Sequence, residues 1–210
     1  DVSPSISFAK SQRKKVCLGR FVNVTFEIGQ KMNKIDETKE FVPVQIAVLT
    51  TSDSRGQKED KSGQILVDRI KSSGHFVVDR KILPDVKHQI VDQLKIWIED
   101  KNVDVIISTG GTGLTGRDVT VEAHRAVYEK EIDAFGTLFT IVSMKKIGTS
   151  AIQSRATAGV ANGTYLFALP GSPSACIDGW DEILAAQLDF RHMPCNFVEI
   201  FPRLNEEKIN

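Results

Sequence analysis

The chain has 210 residues, of which 41% are hydrophobic and 26% charged, ordinary values for a folded domain with one sizeable core. Lysine plus arginine equals aspartate plus glutamate at 27 each, so no global field favours a polyanion and nucleic acid is not an expected partner. Three scattered cysteines (Cys17, Cys176, Cys195) show neither metal-ligand nor disulfide spacing, and no apolar run nears the roughly 18 residues of a membrane span, so a soluble, cytoplasmic protein without a membrane partner is expected.

Residues 1–31 carry no sustained helical or strand period and lead to Met32; after Asp1 the next acid is Glu27, with Lys10, Arg13, Lys14, Lys15 and Arg20 between. This stretch reads as a disordered leader or a mis-called start, with a transit-type presequence as the alternative. A single domain is expected over 32–210, with a tail from about residue 190.

From residue 44 the pattern becomes regular. Residues 44–50 are apolar and β-branched and read as a buried strand. Ile65, Leu66 and Ile70 form a helical stripe, with Asp60 or Ser62 as cap and Gly74 as stop. Residues 76–83 read as a second strand, ended by Pro84-Asp85. Ile90, Leu94, Ile96, Trp97 and Ile98 predict a second helix, and 103–108 a third strand. A loop over 110–118 leads to a helix over 120–130, and 134–160 reads as helical with breaks at Gly148 and Gly159. Residues 165–169 are a further strand, and 175–188 a last helix. The alternation predicts an α/β fold, a three-layer α/β/α domain with a mostly parallel sheet. Ligands in such sheets bind beyond the carboxyl ends of the strands.

Three loops at that edge carry the chemistry. Thr109-Gly110-Gly111-Thr112-Gly113-Leu114-Thr115-Gly116-Arg117-Asp118 joins a strand to a helix, where glycines allow close approach and helix-start amides can receive phosphate oxygens. Gly111, Gly113 and Gly116 satisfy GxGxxG, yet they follow the third strand, whereas a dinucleotide fold places that motif after its first. The P-loop spacing also appears, with Arg117-Asp118 where Lys-Ser/Thr is needed. Asp85 and Asp118 end different strands, and Mg²⁺ suits two such carboxylates with phosphates and water completing its shell; a helix cap at Asp118 and a plain turn at Asp85 are the alternatives. Asp53, Arg55, Asp60, Lys61 and Ser62 could hold phosphate or a cation, or form a capped solvated loop. Ser154-Arg155 offers hydroxyl and guanidinium donors or an ordinary helix end, and Pro170-Gly171-Ser172-Pro173 a seat for a flat or phosphorylated ligand or a plain turn. No zinc spacing or credible nucleophile–base grouping is visible.

Taken as a set over roughly 44–204, these residues resemble the molybdopterin-binding MogA/MoaB family. The likeness is strongest in 108–118, 153–159 and 170–173, and Ile147-Gly148-Thr149-Ser150 with the tail Arg191–Phe197 is similar to the MoaB branch. The resemblance implies a homo-oligomer, trimer or hexamer, that binds molybdopterin and ATP with Mg²⁺ and transfers AMP to the molybdopterin phosphate. It also implies a molybdenum-insertion protein as a further partner. Asp85 matches the acid of the family's Pro-Asp turn and Asp118 the acid closing its glycine loop, while Gly110, Gly111, Thr112 and Gly113 match its ligand loop. Loss of these aspartates would mark a non-catalytic pterin-binding protein of the same fold; this chain keeps both. Ser172 stands where many relatives carry Asn or Gln, a departure in that turn.

Overall fold

The structure, a computed structural model, describes residues 34–53 and 59–206; the expectations for 1–31 and for Arg55 lie outside the described residues. In chain order the elements are β1 (Lys34–Ile35), β2 (Gln45–Thr51), α1 (Lys61–Ser72), β3 (Phe76–Leu83), α2 (Lys87–Glu99), β4 (Val105–Thr109) and α3 (Thr120–Arg125). They continue with β5 (Lys130–Glu131), α4 (Asp133–Ile147), a 3-10 stretch (Gly148–Gln153), β6 (Thr157–Ala161) and β7 (Thr164–Leu169). The chain then forms α5 (Pro173–Gly179), a π-helical turn (Trp180–Leu184), α6 (Ala185–Gln187), β8 (His192–Met193), α7 (Phe197–Ile200) and a 3-10 turn (Phe201–Arg203).

Six strands form one sheet in the order β3-β2-β4-β7-β6-β5, with β1 and β8 paired separately. The neighbours from β3 to β7 run parallel, and the hairpin β6–β7 and the short β5 add antiparallel pairs. Strand side chains alternate between faces. Ile46, Val48, Val105, Ile107 and Phe167 therefore pack with Leu66 and Ile70 of α1 and with Phe135 and Phe139 of α4. Ala47, Leu49, Ile106 and Leu166 face the other way, onto Ile90, Leu94 and Trp97 of α2. Each of these large side chains contributes about 1.5–3 kcal/mol when withdrawn from water, which is why the central strands are apolar on both faces.

Helix α1 begins at Asp60, whose carboxylate accepts from the Gly63 amide at 2.8 Å, and the chain leaves it through Gly74 at φ +86°, as the capping pattern predicts. The second helix also falls where its stripe lies, though Ile96 is 63% exposed and belongs to the solvent face of α2, and the helix expected over 175–188 is met by α5, the π-helical turn and α6. Two expectations are corrected. The helix over 120–130 stops at Arg125, because Lys130 and Glu131 pair with Val160 and Gly159. The helical reading of 134–160 fails at its end: α4 closes at Gly148 (φ +58°), and 157–161 is a fully buried strand. Burial on both faces erased the two-residue period there. The hairpin is set by Asn162 and Gly163 at φ +46° and +79°, the left-handed pair that a two-residue turn needs.

The connection from β2 through α1 leads to β3 on one side, and α2 then carries the chain back across to β4 on the other. With α1 on one face and α3, beside α2, on the other, the loops that leave the carboxyl ends of β2 and β4 diverge. That edge is where a parallel sheet offers a crevice.

Candidate functional site

Four strand ends meet at this edge. The Ser52 amide donates to Leu83 O at 2.9 Å and the Gly110 amide to Leu169 O at 3.1 Å, tying the loops after β2, β3, β4 and β7 together. At Gly110 and Gly111 the glycine loop lies so close to its neighbours that a side chain is excluded. Gly110 has φ +96° and Gly111 φ +60°; a Cβ on Gly110 would stand 2.2 Å from Thr51 O, and one on Gly111 2.2 Å from Asp85 Oδ1 and 2.6 Å from Thr120 Oγ1. The loop is thus pressed onto the acid of the Pro84-Asp85 turn, as its glycines suggest.

The two candidate acids differ in their surroundings. Asp85 Oδ1 is buried and has no hydrogen-bond partner. Burial first, then the nearby charges of Asp53 and Asp118, push the Asp85 carboxyl above the usual carboxylate range, partly offset by Arg117. Asp118 Oδ2 accepts from Thr115 N at 2.8 Å and Thr115 Oγ1 at 2.6 Å, and with the Gly113 amide these bonds hold its carboxyl low. Asp118 does not cap α3: that helix starts from Val119 with no side-chain cap. Its carboxylate is instead turned back into the glycine loop.

Arg117 forms a two-pronged pair with Asp53, with Nη2 2.7 Å from Oδ1 and Nε 3.0 Å from Oδ2. Asp53 Oδ1 also accepts from the Asp85 amide at 3.1 Å, so Arg117, Asp53 and Asp85 form one chain across the edge. The pair is exposed to solvent at 64% and 44% of its side chains, where such contacts contribute at most about 1 kcal/mol.

Other predicted residues take supporting places. Asp60 is buried, receives Thr50 Oγ1 at 2.8 Å and Arg80 Nη2 at 2.8 Å besides Gly63 N, and so its oxygens serve the start of α1. Lys61 is exposed at the first turn. Ser62 Oγ donates to Gly171 O at 2.8 Å and Thr109 Oγ1 to Pro170 O at 3.0 Å, locking the Pro170-Gly171-Ser172-Pro173 turn against α1 and β4. Ser172 caps α5 through the Ala175 amide at 3.2 Å. The buried Thr112 accepts through its carbonyl from Arg155 Nε at 2.8 Å. Arg155, read from the sequence as a guanidinium donor or part of an ordinary helix end, turns its guanidinium onto loop carbonyls. Ser154 borders two hollows, one of about 90 Å³ with Ser143, Lys146, Ser172 and Asp178 in its wall, the other of about 430 Å³ between α3 and α4. Within the smaller one, Lys146 pairs with Asp178.

Sequence reasoning missed the hydroxyl pair Thr51 Oγ1 and Thr120 Oγ1, 2.9 Å apart beneath Gly111, and the buried chain in which His124 Nε2 meets Ser108 Oγ at 2.8 Å and Nδ1 meets Tyr128 OH at 3.2 Å. The Thr51–Thr120 and Ser108–His124 contacts join separate elements, which no local spacing signals, whereas His124 and Tyr128 stand four residues apart.

A parallel sheet with a glycine loop, two acids and a proline turn at its switch point defines a class: α/β domains whose ligand crevice lies beyond the strand ends. The family model described as "Probable molybdopterin binding domain" matches residues 47–189. The chain is 47% identical over 158 residues to Molybdenum cofactor biosynthesis protein B of Escherichia coli strain K12, covering 75% of this chain and 93% of that protein. A crystal structure of Molybdenum cofactor biosynthesis protein B superposes with a TM-score of 0.73 at 34% identity, covering 80% of this chain and all of the other. The tungsten cofactor synthesizing protein MoaB from Pyrococcus furiosus superposes at 0.62 with 35% identity, covering 68% and 91%. The chain belongs to the molybdopterin-binding MogA/MoaB family, on the side of its MoaB members.

Proposed function

We propose that this protein acts in molybdenum cofactor biosynthesis by transferring AMP from MgATP to the terminal phosphate of molybdopterin. The observation that carries the reading is Asp85 Oδ1, buried beside the glycine loop without a hydrogen-bond partner. A buried carboxylate oxygen left unpaired costs stability unless a cation or donor completes it. Asp85 and Asp118 suit Mg²⁺, which needs only one or two protein carboxylates when phosphates and water supply the rest. When bound, the ion would neutralise phosphate charge.

In the proposed reaction an oxygen of the molybdopterin phosphate attacks the α-phosphorus of ATP. One P–O bond forms, the α–β P–O bond breaks, and pyrophosphate leaves with the bonding electrons. The nucleophile is already anionic, so the protein needs no general base. Its work is alignment and electrostatics: the amides of Gly111 and Thr112 receive phosphate, Asp118 is held by Thr115, and Arg117 can exchange Asp53 for an incoming phosphate. We place the pterin side near Ser154 and Ser172, and extend the reading to a cytoplasmic homo-oligomer, trimer or hexamer, that hands its product to a molybdenum-insertion protein. No helix among the described residues is long and apolar enough to cross a membrane.

The test is direct. Purified protein with molybdopterin, ATP and Mg²⁺ is expected to form adenylylated product, with losses on the order of 100-fold in Asp85→Ala and Asp118→Ala and pterin binding retained. Tight pterin binding without product in the wild type would move the protein to the non-catalytic binding class.

A further inference from the structure

Arg155 stands between the 3-10 stretch 148–153 and β6 and turns its guanidinium onto the glycine loop. Nε donates to Thr112 O at 2.8 Å and Gly113 O at 3.0 Å, and Nη2 to Asp118 O at 3.4 Å. Nη1 and Nη2 both reach the Glu122 carboxylate on α3. One side chain therefore grips the loop near both ends and ties it to the first turn of the following helix.

Peptide geometry gives this grip a direction. In a trans peptide the carbonyl and the following N–H point opposite ways, and the only cis bond among the described residues is Met193-Pro194. With the Thr112 and Gly113 carbonyls drawn onto the guanidinium, the amides of Gly113 and Leu114 point away from it. Gly113 lies against the Asp118 carboxylate, a Cβ there standing 2.8 Å from Oδ2, and its amide helps hold that carboxyl low; Oδ2 also accepts from Thr115 N and Oγ1 at 2.8 and 2.6 Å. Asp118 is thus aimed by a peptide whose other edge Arg155 holds. A planar fork of donors can take two adjacent carbonyls and a carboxylate at once, whereas the compact ammonium of lysine cannot.

We propose that Arg155 is the positioning residue of the glycine loop, acting through the Thr112 and Gly113 peptides to orient the Gly113 amide and the Asp118 carboxylate. The proposal rests on the reading of Asp118 as a site acid. It assigns to Arg155 no contact with substrate.

The experiment compares wild type with Arg155→Lys and Arg155→Ala by AMP-transfer kinetics, amide hydrogen exchange over 112–118, and thermal melting. In both variants kcat is expected to fall about 100-fold, the scale of a misplacement of about an ångström, with KM for molybdopterin little changed. Exchange at Gly113 and Thr115 should accelerate while the sheet stays protected. Millimolar guanidinium chloride should restore part of the Arg155→Ala rate. A fall of kcat and binding together with a collapsed melt, and no rescue, would overturn positioning in favour of bulk stability. Loop exchange unchanged in the folded Arg155→Lys protein would also overturn it, whether or not the wild type turns over. A wild type that makes no adenylylated product sinks the functional reading alone, because exchange over 112–118 still decides the role of Arg155.

Discussion

Asp85 has a buried carboxylate oxygen without a hydrogen-bond partner, an arrangement that costs the fold stability. Its carboxyl is raised by burial and by Asp53 and Asp118, so the native state holds its proton to a higher pH than the unfolded chain. Ionisation therefore lowers stability as pH climbs from the ordinary carboxylate value through the raised one, and the loss persists at neutral pH. Asp85→Asn is expected to melt at the same or a higher temperature than wild type at pH 7, while AMP transfer falls on the order of 100-fold. Millimolar Mg²⁺ should raise the melting temperature of wild type and leave that of the variant unmoved. His124 works in the opposite sense. Full burial pushes its imidazole down to about 3, so below its ordinary value of about 6.5 the unfolded chain takes up a proton the native state refuses. Stability is expected to fall between about pH 6.5 and 3 by up to about 1.4 kcal/mol per unit. Urea titrations across that range would show the slope, and His124→Gln should flatten it.

At the scale of elements, the glycine loop shows which backbone demands local pattern makes legible. Gly110 and Gly111 need left-handed backbone and have no room for a Cβ, a demand that only glycine meets cheaply. Gly111→Ala is expected to drive Asp85 and Thr120 apart and lower AMP transfer more than it lowers stability; equal activity in a steady-state assay would contradict the close approach. The Asp60 cap and the Gly74 stop were readable for the same reason, since both act within a few residues. The strand β6 was not. Its five residues are all buried, Gly159 lies where a Cβ would strike the Tyr128 ring at 2.4 Å, and its identity as a strand comes from pairing with β7 and β5. A break in a helix and a packing glycine look alike without the partner.

At the scale of the molecule, α4 is apolar beyond its core face. Leu138, Ile141, Met144 and Ile147 are 44%, 37%, 54% and 51% exposed, and Ile152 just after it is 82% exposed. Exposed apolar groups gathered on one helix suit contact with another copy of the chain. Sedimentation is expected to show an oligomer that Ile141→Lys with Met144→Lys shifts towards smaller species; an unshifted profile would place the interface elsewhere.

By itself the sequence determined the layer architecture, the parallel core strands, the glycine loop and the two acids, because each is written in short-range periodicity or in residue types whose backbone demands are local. It carried enough of these in order for the family to be legible before any coordinates. Only the tertiary structure decided what the charged groups do: that Asp60 serves Arg80 and a helix start, that Arg117 is held by Asp53, that Asp118 turns into its loop while Asp85 is left with an unpaired oxygen. These outcomes depend on which distant side chains meet at the end of a sheet. Hydrogen bonding and desolvation are settled by that proximity in space, and spacing along the chain does not encode it.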